Sequence, residues 1–222
     1  MRDGFLSTER YAAVLALAAR VVALLPQQRI AVAVDGVDGA GKTMLADEIA
    51  DAVGPRRHVM RVSIDGFHHP SAVRYLHGRG PEQYYRNSYD YGLFQAAVLE
   101  PFRCGKPVTP AVSDVEQDRH VDVQAVPVQG DTVLLVDGIF LQRPELHSAW
   151  DATLFVDVPF EVSVPRGNAR FPGAHDSDPE AESNARYVRG QRLYLDEVRP
   201  RERATWVLDN TDLRRPRVEF PC

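Results

Sequence analysis

With 222 residues, 44% of them hydrophobic, the chain is long enough to bury the core of one α/β domain, with room for a small inserted lid. Its net charge of −5 and pI of about 5.8 argue against a general nucleic-acid binder, which would be basic, but not against a local basic pocket. Two cysteines, Cys104 and Cys222, form neither a disulfide framework nor a CxxC metal motif, so a reducing cytoplasm is the expected compartment.

The first expected element, within residues 1–28, is an amphipathic helix from Ser7 to Leu25. Ser7 can cap it and Pro26 ends it. Its apolar run, Tyr11 to Leu25, is broken by Arg20 and preceded by Asp3, Glu9 and Arg10. It lacks the flanks of a signal peptide and is too short to cross a bilayer, so no membrane partner is expected.

Ile30-Ala31-Val32-Ala33-Val34 then reads as a buried strand, and Thr43–Val53 has helical apolar spacing. Between them, Gly36-Val37-Asp38-Gly39-Ala40-Gly41-Lys42-Thr43 fits G-x-x-x-x-G-K-[ST], the phosphate-binding loop. Glycines let successive N–H groups turn inward around an anion, and the helix N-terminus adds a favourable dipole. Gly36, Asp38, Gly39, Ala40, Gly41, Lys42 and Thr43 are thus the candidate phosphate-binding residues. Lys42 would reach the β- and γ-phosphates, and the Thr43 hydroxyl would hold Mg²⁺. The chain has only two lysines, Lys42 and Lys106, and one stands where the motif requires it.

Further strands are expected at Val59–Ile64, Thr132–Val136, Thr153–Val158 and Thr205–Leu208. Further helices are expected at Tyr91–Arg103, Phe160–Arg170 and Glu180–Glu197. This alternation predicts a parallel sheet flanked by helices. Val121–Val126 alternates apolar and polar residues, as an edge strand or hairpin would. Phe171–Pro179 reads as a loop, either mobile or merely superficial.

Ligands bind beyond the carboxyl ends of parallel strands, and two such ends carry acids here. Asp65, in Ser63-Ile64-Asp65-Gly66-Phe67-His68, is the candidate catalytic base for an attacking hydroxyl, with an Asx turn before Gly66 as the alternative. Asp137 closes the apolar run Val133–Val136. It suits a Walker-B-like role toward Mg²⁺, or else a simple turn with Gly138. The spacing of His68, His69 and His77 is no standard metal pattern.

Taken in order, these pieces resemble the uridine kinase and phosphoribulokinase branch of P-loop kinases. The carriers are the loop, Ser63-Ile64-Asp65-Gly66-Phe67-His68, Asn87-Ser88-Tyr89-Asp90-Tyr91, Asp137-Gly138-Ile139-Phe140 and Arg166-Gly167-Asn168-Ala169-Arg170. The resemblance spans Ile30 to Asp212. It implies a P-loop NTPase fold in a single domain over 1–222, with a lid at about 166–190. It also implies ATP and Mg²⁺ as cofactors and a small-molecule hydroxyl acceptor. Asp65 would be the base and Asp137 the metal-associated acid, with Lys42, Arg166 and Arg170 stabilising the transferring charge. Phe67, His68, Asp90 and Arg119 would face the acceptor. The two arginines could equally form a solvated helix face at i, i+4. Members of this branch are often oligomers, so a homo-oligomer is compatible.

Two departures bear on specificity. Where uridine kinases carry Tyr-Asp and a nearby His, this chain has Ser113-Asp114 and no His before Arg119, and the metal-strand acid is Asp rather than Glu. A nucleoside is the first expected acceptor, with pantothenate, a sugar or a sugar phosphate as rivals. A nucleotide-binding regulator without catalysis is the alternative. A GTPase switch fits poorly, because Asp209-Asn210-Thr211-Asp212 lacks the lysine of N-K-x-D. The arginines Arg186, Arg189, Arg192, Arg199, Arg201 and Arg203 suggest either helical ion pairs or a site for a phosphorylated acceptor.

Overall fold

The computed structural model describes residues 7–170 and 173–220. In chain order the elements are α1 (Thr8–Ala23), β1 (Ile30–Gly36), α2 (Lys42–Val53), β2 (Val59–Ser63), α3 (Ser71–Arg74), α4 (Pro81–Asn87) and α5 (Tyr91–Phe94). A π-helical stretch, Gln95–Leu99, joins α5 to α6 (Glu100–Arg103). Then come β3 (Ser113–Asp114), β4 (Arg119–His120), β5 (Val133–Gly138), β6 (Ala152–Asp157), α7 (Phe160–Asn168), α8 (Glu182–Val198), α9 (Pro200–Arg203), β7 (Trp206–Asp209) and β8 (Arg217–Glu219).

The main sheet runs β2-β5-β1-β6-β7-β8, with every pairing parallel except the edge pair β7-β8. Both central strands, β1 and β5, are buried along their whole length, as a sheet covered on two faces requires. Successive side chains point to opposite faces, so β1 serves two cores. Ile30, Val32 and Val34 pack with Leu17, Val21, Leu45 and Ile49 of α1 and α2. Ala31 and Ala33 face a second core built from Phe67, Tyr85, Phe94, Phe102 and Phe140. Small residues on that side leave room for the aromatic rings.

The N-terminal helix begins as its sequence suggests, with the Ser7 hydroxyl accepting the Arg10 N–H at 3.1 Å. The stretch 91–103 is helical but widens into a π-turn. Pro101 has no N–H to give the Ala97 carbonyl four residues back, and the Thr109 N–H takes that acceptor instead, at 3.0 Å.

Val121–Val126 is not a strand. It is largely exposed and pairs at its ends, where the Val121 N–H donates to the Val112 carbonyl at 2.9 Å beside the β3-β4 hairpin and Val126 bridges to Val108. The antiparallel strand β8, the short β3-β4 hairpin and helices α3 and α4 were not foreseen. Helix α4 packs closely on α8 at Gly190. A Cβ there would stand 2.7 Å from the Pro81 carbonyl oxygen and 2.8 Å from the Tyr84 ring.

Arg57 ties three chain segments together from a buried position. Its guanidinium donates to the carbonyls of Leu24 (2.9 Å), Gln28 and Asp131 (3.0 Å). Removing it leaves those carbonyls without their donor. Arg57→Ala should therefore cost about 3 kcal/mol, a fall in Tm of roughly 6–12 °C by thermal unfolding. An unchanged Tm would show that the carbonyls are satisfied without it.

Candidate active site

The loop after β1 owes its shape to glycine. Gly39 (φ +73°) and Gly41 (φ +90°) occupy left-handed backbone that other residues adopt only at a cost. Space adds a second constraint, because a Cβ on Gly39 would lie 1.9 Å from the Ser163 carbonyl oxygen of α7. Three side chains hold the loop from outside. Gln191 of α8 accepts the Asp38 N–H at 2.6 Å. Asn210, after β7, donates to the Ala40 carbonyl at 2.7 Å. Tyr84 of α4 donates to the Asp38 carboxylate at 2.7 Å.

Asp38 therefore anchors the loop to α4 and α8, and its N–H is committed to Gln191 rather than free for an anion. The Gly36 N–H is likewise committed, to Asp35 Oδ1 at 2.8 Å, and the Ala40 N–H to the Val37 carbonyl at 3.2 Å. The Lys42 ammonium, buried, rests on the Val37 carbonyl at 2.8 Å, within the loop.

Beside the loop lies a small cavity of about 70 Å³. Lys42, Thr43, Asp65, Asp137 and Arg170 share its wall. The β2 and β5 strand ends bring the two acids there, since Ser63 pairs with Asp137 in register. Thr43 Oγ1 donates to Asp137 Oδ2 at 2.7 Å, and Arg61 of β2 pairs with Asp137 Oδ1 at 2.8 Å. Sequence reading did not single out Arg61. It lies one turn of the pleat before Ser63, facing the neighbouring strand's acid, and only the β2-β5 register reveals that.

Asp65 sits in a 3-10 turn after β2, with the Tyr89 hydroxyl donating to its Oδ1 at 2.8 Å. Burial, then the Asp65 charge, pushes the Tyr89 phenol well above its ordinary value, so it stays a donor. Asp35, fully buried beneath the loop, is raised by desolvation. Tyr194 and Gln142 donate to it and partly offset the rise.

On its outer side Asp65 opens into a cavity of about 300 Å³, whose wall includes His68, Arg74, Tyr75, Tyr89 and Arg186. Asp90 and Arg119 line a separate pocket of about 130 Å³, which shares His68 with the first and adds His120 from β4. His120 stands one residue past the segment in which a histidine was sought. The Asp90 carboxylate caps α5 through the Leu93 N–H at 2.8 Å.

Two candidates are placed elsewhere. Phe67 is fully buried in the core, edge-on to Phe94 at 5.1 Å, because its ring fills the gap left by Ala31 and Ala33. Arg166 donates to the carbonyls of Asn210 (2.9 Å) and Thr211, tying α7 to the loop after β7. Of the two arginines at i, i+4, Arg170 alone lines the cavity beside the loop. It also borders a cavity of about 430 Å³ between α7 and α8.

The donors at the Thr43–Asp137 pair are a hydroxyl and a carboxylate, hard oxygens of the kind Mg²⁺ takes when phosphates complete its shell. Among the described residues there is no cluster of three or more His, Cys, Asp or Glu side chains able to hold a metal unaided. No helix among them is long and apolar enough to cross a membrane.

This mostly parallel sheet flanked by helices is the α/β fold of P-loop kinases. The chain is similar to the uridine kinase and phosphoribulokinase branch of that class. It is 25% identical over 143 residues to a uridine kinase of Shewanella frigidimarina, a match covering 61% of this chain and 66% of that protein, just under two thirds of its length. A possible uridine kinase from Bacillus stearothermophilus superposes with a TM-score of 0.71 at 21% identity, covering 89% of this chain and 98% of that one. A candidate fructose transport system kinase from Silicibacter sp. TM1040 gives 0.66 at 20% identity, covering 84% and 94%. No protein-family model matches the chain.

His68 offers a test of the site's electrostatics. Desolvation pulls its pKa below the ordinary histidine value. The Asp65 carbonyl, with the Asp65 and Asp38 charges, opposes that fall, and Arg74 adds to it. With the folded pKa lowered, the unfolded chain binds the proton more readily. The stabilisation is then complete above about pH 6.5 and is lost as pH falls through the folded value. Tm measured from pH 7.5 to 5 should drop less steeply in His68→Gln than in wild type. Parallel curves would contradict the assignment.

Proposed function

We propose that the protein is an ATP- and Mg²⁺-dependent kinase that transfers a phosphoryl group to a hydroxyl of a small molecule. One observation carries the reading: Asp65 shares a single cavity wall with Lys42, Thr43 and Asp137 of the phosphate cradle. A carboxylate so placed can meet an acceptor hydroxyl where a nucleotide's terminal phosphate would end.

Mg²⁺ would neutralise charge on the β- and γ-phosphates, held on the protein side by Thr43 and Asp137. Lys42 swings from the Val37 carbonyl onto the phosphates, and the backbone N–H groups of Gly39, Gly41, Lys42 and Thr43 cradle them. Asp65, oriented by Tyr89, accepts the hydroxyl proton as the acceptor oxygen bonds to the γ-phosphorus. The bond from that phosphorus to the β–γ bridging oxygen breaks, and ADP leaves. Arg170 reaches the cavity from the lid side and stabilises the charge on the transferring group.

A regulator that binds nucleotide without turnover would have no need of a carboxylate beside the cradle, and the presence of Asp65 there favours the kinase. The nucleoside acceptor is the reading of the uridine kinase relatives. The pocket where a nucleoside base would sit is lined by Ser113, the exposed Arg119 and His120.

The test is acceptor-dependent ADP release with MgATP across nucleosides, sugars, sugar phosphates and hydroxy acids. Asp65→Asn should lower kcat by about 100-fold or more, with little change in ATP binding. Acceptor-dependent release that survives in Asp65→Asn would remove Asp65 as the base. Release that never depends on an acceptor would remove the kinase reading.

A further inference from the structure

The cavity outside Asp65 has an unusual far wall. Tyr75, on the turn after α3, is ringed by three guanidinium groups. Arg79 lies 4.1 Å, Arg186 5.0 Å and Arg74 5.1 Å from its ring centre. Arg186 comes from α8 and also lies against the rings of Tyr84 (5.5 Å) and Tyr187 (5.4 Å). A hydrogen bond from Arg186, aided by the charges of the three guanidinium groups, holds the Tyr75 hydroxyl below its ordinary pKa against the opposing effect of burial.

Arg74 is partly satisfied, donating to the His69 carbonyl at 2.8 Å and pairing with Asp118 at 3.4 Å. Arg186 hydrogen-bonds the Tyr75 hydroxyl, but among the described residues it makes no ion pair, and its Nε is buried with no hydrogen-bond partner. A buried guanidinium donor without an acceptor is costly, and a bound oxyanion would satisfy it in the forked geometry arginine favours. The cavity thus carries both signs of charge: Asp65, and Asp38 already bonded to Tyr84 and Gln191, line it together with Arg74 and Arg186.

We infer that the acceptor is itself an anion. Its carboxylate or phosphate group sits against Arg74 and Arg186 while its hydroxyl meets Asp65. The inference rests on the kinase reading above and narrows it to hydroxy acids and sugar phosphates, away from neutral nucleosides and free sugars. Tyr75 and Arg186 would together set the distance between the anionic group and the reacting hydroxyl.

Matched pairs of compounds test it. We would measure kcat/KM for D-glycerate against glycerol, pantothenate against panthenol, and ribose 5-phosphate against ribose. Each pair differs mainly in the anionic group, and the three separate carboxylate from phosphate. Wild type should prefer the anionic member of at least one pair by about tenfold or more. That ratio should collapse toward one in Arg186→Gln and shrink in Arg74→Gln. Because the readout is a ratio within one preparation, partial misfolding of a variant does not imitate the result. If a variant cannot be made, the wild-type ratio alone decides.

Faster turnover of neutral members, or a preference unchanged in Arg186→Gln, would overturn the inference while leaving the kinase intact. If no compound is turned over, the kinase reading loses its support, and calorimetric titration of the same six compounds with ADP present decides the anion site separately. Binding of anionic members that is lost in Arg186→Gln sustains it, and no binding by any of them ends it.

Discussion

The architecture turns on one loop that only glycine can shape. Between β1 and α2 the backbone passes through left-handed conformations at Gly39 and Gly41, and it stays there because neighbours hold it from outside. The clamps come from distant parts of the chain: Tyr84 on α4, Gln191 on α8, Asn210 after β7, and the α7 backbone against Gly39. A loop held in this way has little backbone freedom left to lose, which would lower the ordering cost of binding a ligand there. The clamping also couples the loop to α7 and α8, both of which touch it. Asn210 shows how far the coupling extends, because it also accepts from Arg10 of the N-terminal helix at 3.0 Å.

A second constraint follows from strand register. The β2-β5 pairing puts Ser63 beside Asp137, and the chain beyond β2 then turns so that Asp65 meets the same cavity. Arg61 and Thr43 divide the Asp137 carboxylate between them, one on each oxygen. Both carboxylate oxygens are thereby engaged by donors of the protein itself. A metal ion approaching Thr43 would have to share Asp137 with Arg61, which favours a weakly held ion completed by a nucleotide's own phosphates.

Much of this was legible in the sequence because it is local. The strand, loop and helix around Lys42 follow one another directly, and their periodicities and glycines declare them. The apolar runs that end in Asp65 and Asp137 declared the other two strand ends. What escaped depended on contacts between distant segments. Gln191 and Asn210 as loop clamps, Tyr89 on Asp65 and Arg61 on Asp137 join residues far apart in sequence, and no spacing rule reports them. Phe67 and Arg166 were legible as motif members but not in their orientation. The ring went to the core and the guanidinium to the Asn210 carbonyl. The alternation of Val121–Val126 suggested an edge strand or hairpin, but the exposed run pairs only at its ends, at Val121 and Val126.

The central claim is that the loop, Lys42 and the Thr43–Asp137 pair form a site for a Mg²⁺-bound nucleoside triphosphate. Isothermal titration of the wild-type protein with the non-hydrolysable analogue AMP-PNP, with and without Mg²⁺, tests it most directly, with Lys42→Met alongside. The account predicts one site per chain, tighter with Mg²⁺ than without, and weakened by about tenfold or more in Lys42→Met. No heat of binding in wild type, or binding indifferent to both Mg²⁺ and Lys42, would contradict it.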